Sequence, residues 1–409
     1  MKQVFSLFHE QITYAWEQRK LVDILKLLKD GTHGSHKDVT NGHYLLSAKN
    51  IKDGRIFWDK TDRIISDEDY KKIHSTFKIN KGDVLLTIVG SIGETAIFNV
   101  SEEITFQRSV AILRPIDEIS SDFLYSEITS PKFQKFLNLN KSTSAQPGIY
   151  LGDLANISFS FPENKEEQKM IGRLFTYLNS TITLQQRKCE NLKKLKKGLL
   201  QKMFPKNGSN FPELRFPGFT DAWEQRKLSE ITKRVQGNDG RMNLPTLTIS
   251  AANGWMNQED RFSGNIAGKE QKNYTLLHKG ELSYNHGNSK LAKYGTVFSL
   301  DSYEEALVPR VYHSFKMTNG DAKFIENYFA SKIPDRELSK LVSSGARMDG
   351  LLNINYDDFM GIKVTIPSLL EQINISTFLT KLDILITLQQ RKLESMKQLK
   401  KGLLQQMFV

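Results

Sequence analysis

The residues of this sequence that could bind a ligand through hydrogen bonds are concentrated in four glycine-containing stretches. They are KDGTHGSHKDVTNGHYLLSAKNIKDGRI at 29–56, KSTSAQPG at 141–148, SYNHGNSKLAKYG at 283–295 and SSGARMDG at 343–350. Arginine pairs with guanine, asparagine and glutamine pair with adenine, and lysine binds phosphate, so this composition favours contact with DNA. Because loops are polar in any case, a purely structural role is the alternative for each residue. We predict DNA contacts from Thr32, His33, His36, Lys37, Lys49, Asn50, Arg55, Lys141, Ser142, Gln146, Tyr284, Asn285, His286, Asn288, Lys290 and Arg347.

Motifs for catalysis are absent from the sequence. The loop GSIGE at 90–94 lacks the Lys-Ser/Thr of a phosphate-binding loop and the strand-turn-helix context of a dinucleotide site, so we interpret it as a tight hairpin turn. No G-x-S-x-G, H-E-x-x-H or C-x-x-C motif occurs, nor the tetrapeptide with which amino-methylating enzymes grip a flipped base. We therefore expect no catalytic residue, no metal site and no cofactor. Carboxylates near lysines are plentiful, which leaves a cryptic nuclease site open.

Length and charge narrow the class of protein. At 409 residues the chain is longer than one hydrophobic core usually organises, so we expect more than one domain. Its formal net charge of +11 at pH 7 favours a polyanionic partner such as nucleic acid, although an ordinary basic protein is the alternative. No apolar run approaches the roughly 20 residues that span a bilayer, and no secretory signal begins the chain. We expect a soluble, cytoplasmic protein that does not bind membranes.

Two parts of the sequence are nearly repeated. LKKGLLQKMF at 195–204 recurs as LKKGLLQQMF at 399–408, inside a longer repeat that begins near Pro162 and Pro367. AWEQRKL at 15–21 recurs at 222–228. Each half thus joins a variable block of about 140 residues to a near-constant block of about 40, which indicates an internal duplication.

The constant blocks have the pattern of long amphipathic helices. Asn164 and Ser368 are N-cap residue types, and Glu167 and Glu371 follow at capping-box spacing. Apolar residues then recur at steps of three and four, and Cys189 falls on this stripe, which indicates a core position. We predict that the two helices pack antiparallel as a coiled-coil-like spacer, with a pseudo-twofold axis relating the two halves.

Each predicted helix contains one interior glycine, Gly198 or Gly402, which costs about 1 kcal/mol relative to alanine. A close approach of the other helix or of a partner protein would explain this cost, and tolerance after a recent duplication explains it equally well. A lysine cluster lies near each helix C-terminus, where cations suit the helix dipole. We interpret it as a solvated face in preference to a DNA contact; its members are Lys193, Lys194, Lys196, Lys197, Lys397, Lys400 and Lys401.

The variable blocks combine strand and helix patterns. β-branched runs such as DVLLTIVG at 83–90 and IKVTIP at 362–367 predict strands, and DFLYSEITSPKFQKFL at 122–137 predicts a shorter helical stretch. The fold class is therefore α+β, with two mixed domains separated by the two long helices. We place the boundaries at 1–160 for the first domain, 161–206 for the central helix, 207–365 for the second domain and 366–409 for the C-terminal helix.

This layout resembles the specificity (S) subunit of type I restriction-modification systems. The resemblance lies in LQQRK followed by LKKGLLQKMF or LKKGLLQQMF, and in PELRFPGF leading into DAWEQRKL. The first half departs from it, with MKQVFSLFHEQITY where PELRFPGF would be expected. The resemblance covers essentially the whole chain, and its helix motifs are the most specific part.

The resemblance implies a function. Each variable block would be a target recognition domain that reads one half of a bipartite, asymmetric sequence in double-stranded DNA, and the helices would set the distance between the halves. Two methyltransferase (M) subunits would dock on the chain and methylate adenine with S-adenosylmethionine, while the participation of two restriction (R) subunits stays open. The chain itself would be non-catalytic. Two rivals remain: an enzyme that acts alone as a nuclease or methyltransferase, and a coiled-coil adaptor with no nucleic-acid role.

Overall fold

The computed structural model describes residues 16–142, 147–206, 208–262, 268–287, 289–342 and 352–408. The chain divides into two compact units, one made of Met1–Lys188 and Gln389–Val409 and the other of Cys189–Leu388. Each unit therefore contains one variable block, the N-terminal part of the long helix that follows this block, and the C-terminal part of the other long helix. The division into four consecutive segments stays a prediction, because the compact units exchange these helix ends.

The first unit is a mixture of strands and helices. Its strands are β1 (Trp16–Lys20), β2 (Leu25–Asp30), β3 (His43–Leu46), β4 (Ile51–Lys52), β5 (Arg55–Ile56), β6 (Ile64–Ile65), β7 (Val84–Thr87), β8 (Thr95–Ile97), β9 (Thr105–Phe106), β10 (Val110–Pro115) and β11 (Ser158–Pro162). Its helices are α1 (Asp67–Ile73), α2 (Ser121–Ile128), α3 (Pro131–Asn140), α4 (Leu151–Ala155) and the first part of the long helix α5 (Lys165–Lys202), with 3-10 turns at Leu21–Ile24 and Ala48–Asn50.

The main sheet of the first unit has the strand order β2-β10-β7-β8, and all neighbouring strands are antiparallel. Alternate residues of its strands face opposite sides. Val84 and Leu113 point into a core shared with the helices, whereas Leu85 and Ile112 point into a second core. Because both faces are buried, VLLT in β7 is apolar almost throughout, and polar residues are confined to the strand ends and loops.

The second unit repeats this arrangement. Its strands are β12 (Glu224–Lys227), β13 (Thr232–Arg234), β14 (Leu247–Ser250), β15 (Gly254–Asn257), β16 (Thr275–His278), β17 (Leu282–Asn285), β18 (Thr296–Ser299), β19 (Glu305–Val308), β20 (His313–Met317) and β21 (Lys363–Ile366). Its helices are α6 (Leu228–Ile231), α7 (Gln258–Phe262), α8 (Ala322–Ala330), α9 (Asp335–Leu341), α10 (Tyr356–Met360) and the first part of the long helix α11 (Leu369–Met407), with a 3-10 helix at Gly268–Asn273.

The two main sheets have the same connectivity. In the second unit the order is β13-β20-β17-β18, again antiparallel, which corresponds strand by strand to the order in the first unit. A two-stranded sheet joins the entry and exit of each block: β1 pairs with β11 and β12 pairs with β21. The predicted α+β class, with two mixed domains and long helices, is confirmed, and the duplication extends to the diverged blocks.

Within each unit the two long helices run in opposite directions. In the first unit the ring of Phe175, near the start of α5, lies 5.8 Å from the ring of Phe408, just past the end of α11. In the second unit Phe204 shares a core with Leu379, and one turn or two further along the helices Lys196 forms an ion pair with Asp383. Cys189 is buried, as predicted. The coiled-coil packing and the pseudo-twofold axis stay predictions.

A buried glutamine fixes the start of each long helix. Gln168 donates from Nε2 to the carbonyl oxygens of Pro162 (2.9 Å) and Glu118 (3.1 Å), and its Oε1 accepts from the N–H of Ser120 (2.9 Å). Gln372 repeats two of these bonds, donating to Pro367 O and accepting from Asp321 N–H. Because both side chains are buried, the amide replaces the bonds that water would supply. Each long helix is thereby tied to the strand before it and to the helical segment beside it.

The capping boxes form differently from the prediction. Asn164 caps α5 as predicted, since its Oδ1 accepts from the N–H groups of Glu166 and Glu167. Glu371 does not reach back to its own helix end, because both of its oxygens accept from Arg215, at 2.7 and 2.8 Å. Arg215 belongs to PELRFPGF, which has no counterpart in the first half. Burial there raises the pKa of the equivalent Glu167, against a smaller opposing effect from the Trp16 side chain.

Of the three explanations for Gly198 and Gly402, a close approach of the other helix does not occur in the described part of the chain. A Cβ atom built on either glycine meets no described atom within 4 Å. The close approach occurs at Gly172, where a Cβ atom would lie 2.5 Å from Cβ of Asp122 in α2. Within the residues that the structure describes, no helix combines the length and apolar character that a bilayer crossing requires.

The glutamine anchors generate a stability prediction. Replacing Gln168 or Gln372 with leucine should lower the free energy of unfolding by about 2–4 kcal/mol, because buried backbone groups lose their partners at about 1–3 kcal/mol each. Urea denaturation of the full chain measures this loss. Gln186→Leu, at a polar position further along α5, is the control and should change stability by less than about 0.5 kcal/mol. Equal losses in all three variants would contradict the anchoring role.

Candidate nucleic-acid interface

The loop between β2 and β3 is held by contacts to its own unit. A Cβ atom on Gly31 would lie 2.1 Å from the carbonyl oxygen of Phe106, so only glycine permits the chain to pass β9 here. Thr32 then donates its N–H to the same oxygen, and its Oγ1 lies 2.9 Å from His36 Nε2. His36 Nδ1 in turn lies 3.1 Å from a carboxylate oxygen of Asp69, in α1. The loop is therefore positioned before any ligand binds.

Among the predicted DNA contacts in this loop, His33 and Lys37 are exposed. His33 lies with Nε2 2.6 Å from Asp30 Oδ2, and its side chain is 64% exposed. Lys37 is exposed, and Arg55 is exposed on β5. Lys37 and Arg55 can contact a phosphate or a base edge, and His33 can do so from the exposed part of its ring, whereas Thr32 and His36 bond to each other within the loop.

Asn50 has a structural role. Its Oδ1 accepts from Ser47 N–H, and its Nδ2 donates to Phe57 O and to Asp62 Oδ1. Burial would raise the pKa of Asp62, but hydrogen bonds from Asn50 and Lys49 outweigh burial and lower it. With only 2% of its surface exposed, Asn50 cannot offer its amide to adenine, so we remove it from the predicted DNA contacts. Lys49 keeps an exposed side chain while bonded to Asp62.

Two residues that the sequence did not single out lie at the same edge of the sheet. Gln107 follows β9, and its backbone bridges to Thr32, while Arg108 donates its N–H to Thr32 O. Gln107 lines a cleft with Lys49, Lys52, Ser91 and Ser109. Arg108 is exposed. Glutamine and arginine are the residue types that read adenine and guanine, so this pair belongs in the candidate site. Their signal in the sequence is the polar QR between two apolar strands.

The second predicted loop of the first unit begins at this edge as well. Ser142 exchanges hydrogen bonds with Gly148, which closes the base of the loop, and Gly148 bridges to Val89 after β7. Lys141 is exposed beside it. The structure thus brings Lys49, Lys141 and Ser142 together with Gln107 at one end of the sheet. Gln146 lies outside the described residues.

In the second unit, Tyr284 belongs to the core. Its ring stacks on Phe359 with centroids 4.1 Å apart, and its hydroxyl donates to Tyr294 O. Burial raises the pKa of this hydroxyl and leaves no exposed surface. His286 is also buried, against Tyr284 and His313. Tyr284 and His286, both predicted to contact DNA, therefore pack in the interior of the unit.

Near the end of β17, some side chains that can donate hydrogen bonds to DNA are exposed. Asn285 braces the loop, since its Nδ2 donates to Ile249 O and its Oδ1 accepts from Gly287 N–H. It lines a cleft with Lys290 and with Arg261, which the sequence did not single out. Lys290 and Arg261 are exposed. Asn288 and Arg347 lie outside the described residues.

The two units place their variable loops at matching positions of the same frame. In the first unit Ile149 N–H donates to Ile88 O at 2.9 Å, which joins the segment after the 141–148 loop to the hairpin loop after β7. In the second unit Leu352 N–H donates to His286 O at 2.9 Å, which joins the segment after the 343–350 loop to the hairpin loop after β17. The segments that begin at Ile149 and Leu352 thus bond to the corresponding hairpin loop in each unit. Among the described residues, no three histidine, cysteine or carboxylate side chains are arranged to hold a metal ion.

Solved structures define the class of fold. The chain resembles the crystal structure of a type I restriction-modification system S subunit from M. genitalium, with a TM-score of 0.61 and 15% identity, over 98% of this chain and 97% of that one. It also resembles a chain from a structure titled for complex assembly and conformational transition of the type I R-M system, with a TM-score of 0.50 and 15% identity, over 96% and 97%. At this identity the likeness shows the fold.

Sequence comparison identifies the family of the domain. The family described as "Type I restriction modification DNA specificity domain" matches residues 14–194 of the chain. The chain is 29% identical over 147 residues to the EcoBI specificity subunit of Escherichia coli, covering 35% of this chain and 31% of that protein. It is 25% identical over 229 residues to the putative MjaX specificity subunit of Methanocaldococcus jannaschii, covering 53% of each. The chain thus spans about a third to about half of these relatives, and the resemblance predicted from the sequence is confirmed.

The contrast between structural and exposed loop residues can be tested by stability. Asn50→Ala should lower the free energy of unfolding by about 2–3 kcal/mol, because it leaves buried partners unsatisfied. Lys37→Ala, at an exposed position of the same region, should change it by less than about 0.5 kcal/mol. Thermal and urea denaturation measure both. A stable Asn50→Ala chain with weakened DNA binding would restore Asn50 as a contact.

Proposed function

We propose that this chain is the DNA sequence-specificity subunit of a type I restriction-modification complex. The observation that supports this most directly is the repeated frame, in which two like sheets present unlike polar loops at the same edge. A pair of different half-sequences requires two different readers, and two identical partner subunits require the same docking surface twice. The near-identical helices and diverged loops meet both requirements.

In this proposal each unit reads one half of a bipartite target. In the first unit Gln107, Arg108, Lys49 and the 141–148 loop contact bases and phosphates. In the second unit Lys290, Arg261 and the 343–350 loop do so. Described loop residues such as Thr32 and Asn285 are braced by hydrogen bonds within their own unit, so the specificity of each half depends on the exposed groups beside them. The chain contributes no catalytic group; methylation and cleavage belong to partner subunits.

The long helices provide the docking surfaces for two methyltransferase subunits. In the second unit Leu195 is 52% exposed on the helix face that contains Gly198, and in the first unit Leu399 is 38% exposed on the face that contains Gly402. Open space above each glycine admits the backbone of a partner, and the adjacent leucine adds apolar contact. This supports the partner explanation for the two glycines. Whether restriction subunits join stays open.

The reading roles make a prediction about specificity. The double variant Gln107→Ala, Arg108→Ala should lose base preference in one half of the target, because each bidentate pairing with a base is worth about 1–3 kcal/mol of discrimination. The double variant Arg261→Gln, Lys290→Gln should lose preference in the other half alone. Sequencing of random duplex DNA bound by the full chain measures both. Arg226→Gln, on β12 and paired with Glu224, is the control. Loss of both halves in either variant would contradict independent reading.

The docking roles make a second prediction. Leu195→Asp or Leu399→Asp should each remove one methyltransferase subunit from the complex, and the double variant should remove both, because a charge would be buried in the contact. Light scattering after size-exclusion chromatography measures the mass. Leu139→Asp, at a leucine that is 73% exposed on α3, should leave assembly intact.

Alanine at the two glycines extends this test. Gly198→Ala and Gly402→Ala should raise the unfolding free energy of the isolated chain by up to about 1 kcal/mol each, while weakening assembly. Alanine variants that are stabilised and assemble normally would show that the glycines are tolerated and serve no contact.

A further inference from the structure

The first unit contains a polar cleft of about 490 Å³ that the reading and docking roles do not use. One wall is the second part of GSIGE, the glycine-containing loop between β7 and β8, which contributes Ile92, Gly93 (left-handed, φ 98°) and Glu94. The opposite wall is the C-terminal end of α11, which contributes Lys397, Lys400 and Lys401. These lysines lie three and four residues apart, so they share one helix face. From the sequence we interpreted these lysines as part of a solvated helix face. In the structure this face lines the cleft.

Lys400 is the half-buried member of the three. It forms no ion pair with any residue in the described ranges of the chain. Burial lowers its pKa, against a smaller opposing effect of Asp53. Partial burial removes some of the hydration of this ammonium group and no described carboxylate bonds to it, so an anion in the cleft would stabilise it.

The duplication supplies an internal comparison. In the repeat, Lys196 of α5 corresponds to Lys400, and Asp383 of α11 corresponds to Asn179. In the second unit Lys196 Nζ lies 2.5 Å from Asp383 Oδ1, so the lysine has its counter-charge. In the first unit Asn179 carries no charge, and its Nδ2 donates to the hydroxyl of Tyr125 at 3.0 Å. The presence of Asn179 in place of Asp383 thus leaves Lys400 without the counter-charge that Lys196 has.

Other groups of the cleft set its selectivity. Gln186 and Thr183 add neutral hydrogen-bonding groups on α5. Asp53 and Glu94 also line the cleft, but Glu94 Oε2 already accepts from the N–H of Asp53. Three lysines against two carboxylates leave the cleft cationic on the α11 side. A compact, multiply charged anionic group would bind well to the lysines of α11. Hydrogen-bond donors elsewhere on the same ligand would bind the carboxylates of Asp53 and Glu94.

We propose that the cleft between GSIGE and the end of α11 binds a phosphate group, held by Lys400 with Lys397 and Lys401. At the corresponding position of the second unit, Asp383 pairs with the lysine and takes the place of the phosphate. The phosphate comes either from a free polyphosphate or nucleotide or from the DNA backbone. The chemistry is the same for both sources, and the experiment separates them. The proposal does not require the restriction-modification role.

Isothermal titration of the full chain with pyrophosphate tests the site. We expect saturable binding with one site per chain, and Lys400→Gln should weaken it about tenfold or more, as the loss of a hydrogen bond between charged groups does. Lys196→Gln is the matched control in the other copy and should leave the affinity unchanged. No binding by the wild-type chain to pyrophosphate or to DNA through this site, or equal losses in the two lysine variants, would overturn the proposal.

Two further variants exchange the counter-charge between the copies. Asn179→Asp should place a carboxylate beside Lys400, as Asp383 does for Lys196, and should weaken pyrophosphate binding as much as Lys400→Gln does without unfolding the chain. Asp383→Asn should free Lys196 and create weak binding in the second unit. Circular dichroism melting verifies folding of each variant. An Asn179→Asp chain that is folded and binds pyrophosphate normally would show that Lys400 is not the ligand.

Binding to DNA of unrelated sequence identifies the source of the phosphate. If the backbone occupies the cleft, Lys400→Gln should reduce the slope of log affinity against log salt by about 1, and pyrophosphate should compete with DNA. If a free polyphosphate is the ligand, the slope stays constant while pyrophosphate binding is lost. Preference for a target sequence, measured separately in the same variants, reports on the proposed function and should be unchanged in either case.

Discussion

The buried glutamines at the starts of the two long helices are the interactions on which the rest of the structure depends. Gln168 and Gln372 each join the carbonyl group at the end of the exit strand to the first N–H of a neighbouring helical segment. The orientation of each sheet relative to its helix is set at this junction. Because each glutamine is buried and bonded to both neighbouring segments, the junction restricts how the sheet can move relative to the helix.

This junction explains how one frame supports two different binding specificities. The main sheets share their strand order, and in each the hairpin loop after the third strand of that order accepts a hydrogen bond from the segment after a variable loop, at Ile88 and at His286. Core residues such as Tyr284 and bracing residues such as Asn50 are committed to the frame. Exposed loop residues make few contacts within the frame, so they can change without loss of stability, which is the condition for recognition to diverge after a duplication.

Periodicity and repetition predicted the parts of the fold that local physics determines. The long helices, their N-cap at Asn164, the strands VLLT and KVTI and the core position of Cys189 follow from patterns of three, four and two residues. Contacts between distant segments were not predictable. Arg215 captures Glu371 across the sequence, and Tyr284 and Asn50 look like loop donors although tertiary packing buries them. Gln107 and Arg108 were missed because the pairing of β2 with β10 and the bridge from Thr32 to Gln107, both between distant segments, bring them beside Thr32.

The duplicated helices also contain positions that both copies share and positions at which the copies differ, and the charged residues illustrate both kinds. Where both copies keep a residue, as at Gly198 and Gly402 or Leu195 and Leu399, the simplest physical cause is a demand that both copies meet. Where the two helix copies differ at a position that faces a charged group, the physical requirement at that position differs between the two units. Asp383 neutralises Lys196, and Asn179 instead bonds the hydroxyl of Tyr125, which belongs to the variable block of its own unit. The change from Asp383 to Asn179 therefore links α5 to Tyr125 of the first variable block. In this way one half of the duplicated scaffold can acquire the proposed phosphate site, while Asp383 prevents it in the other half.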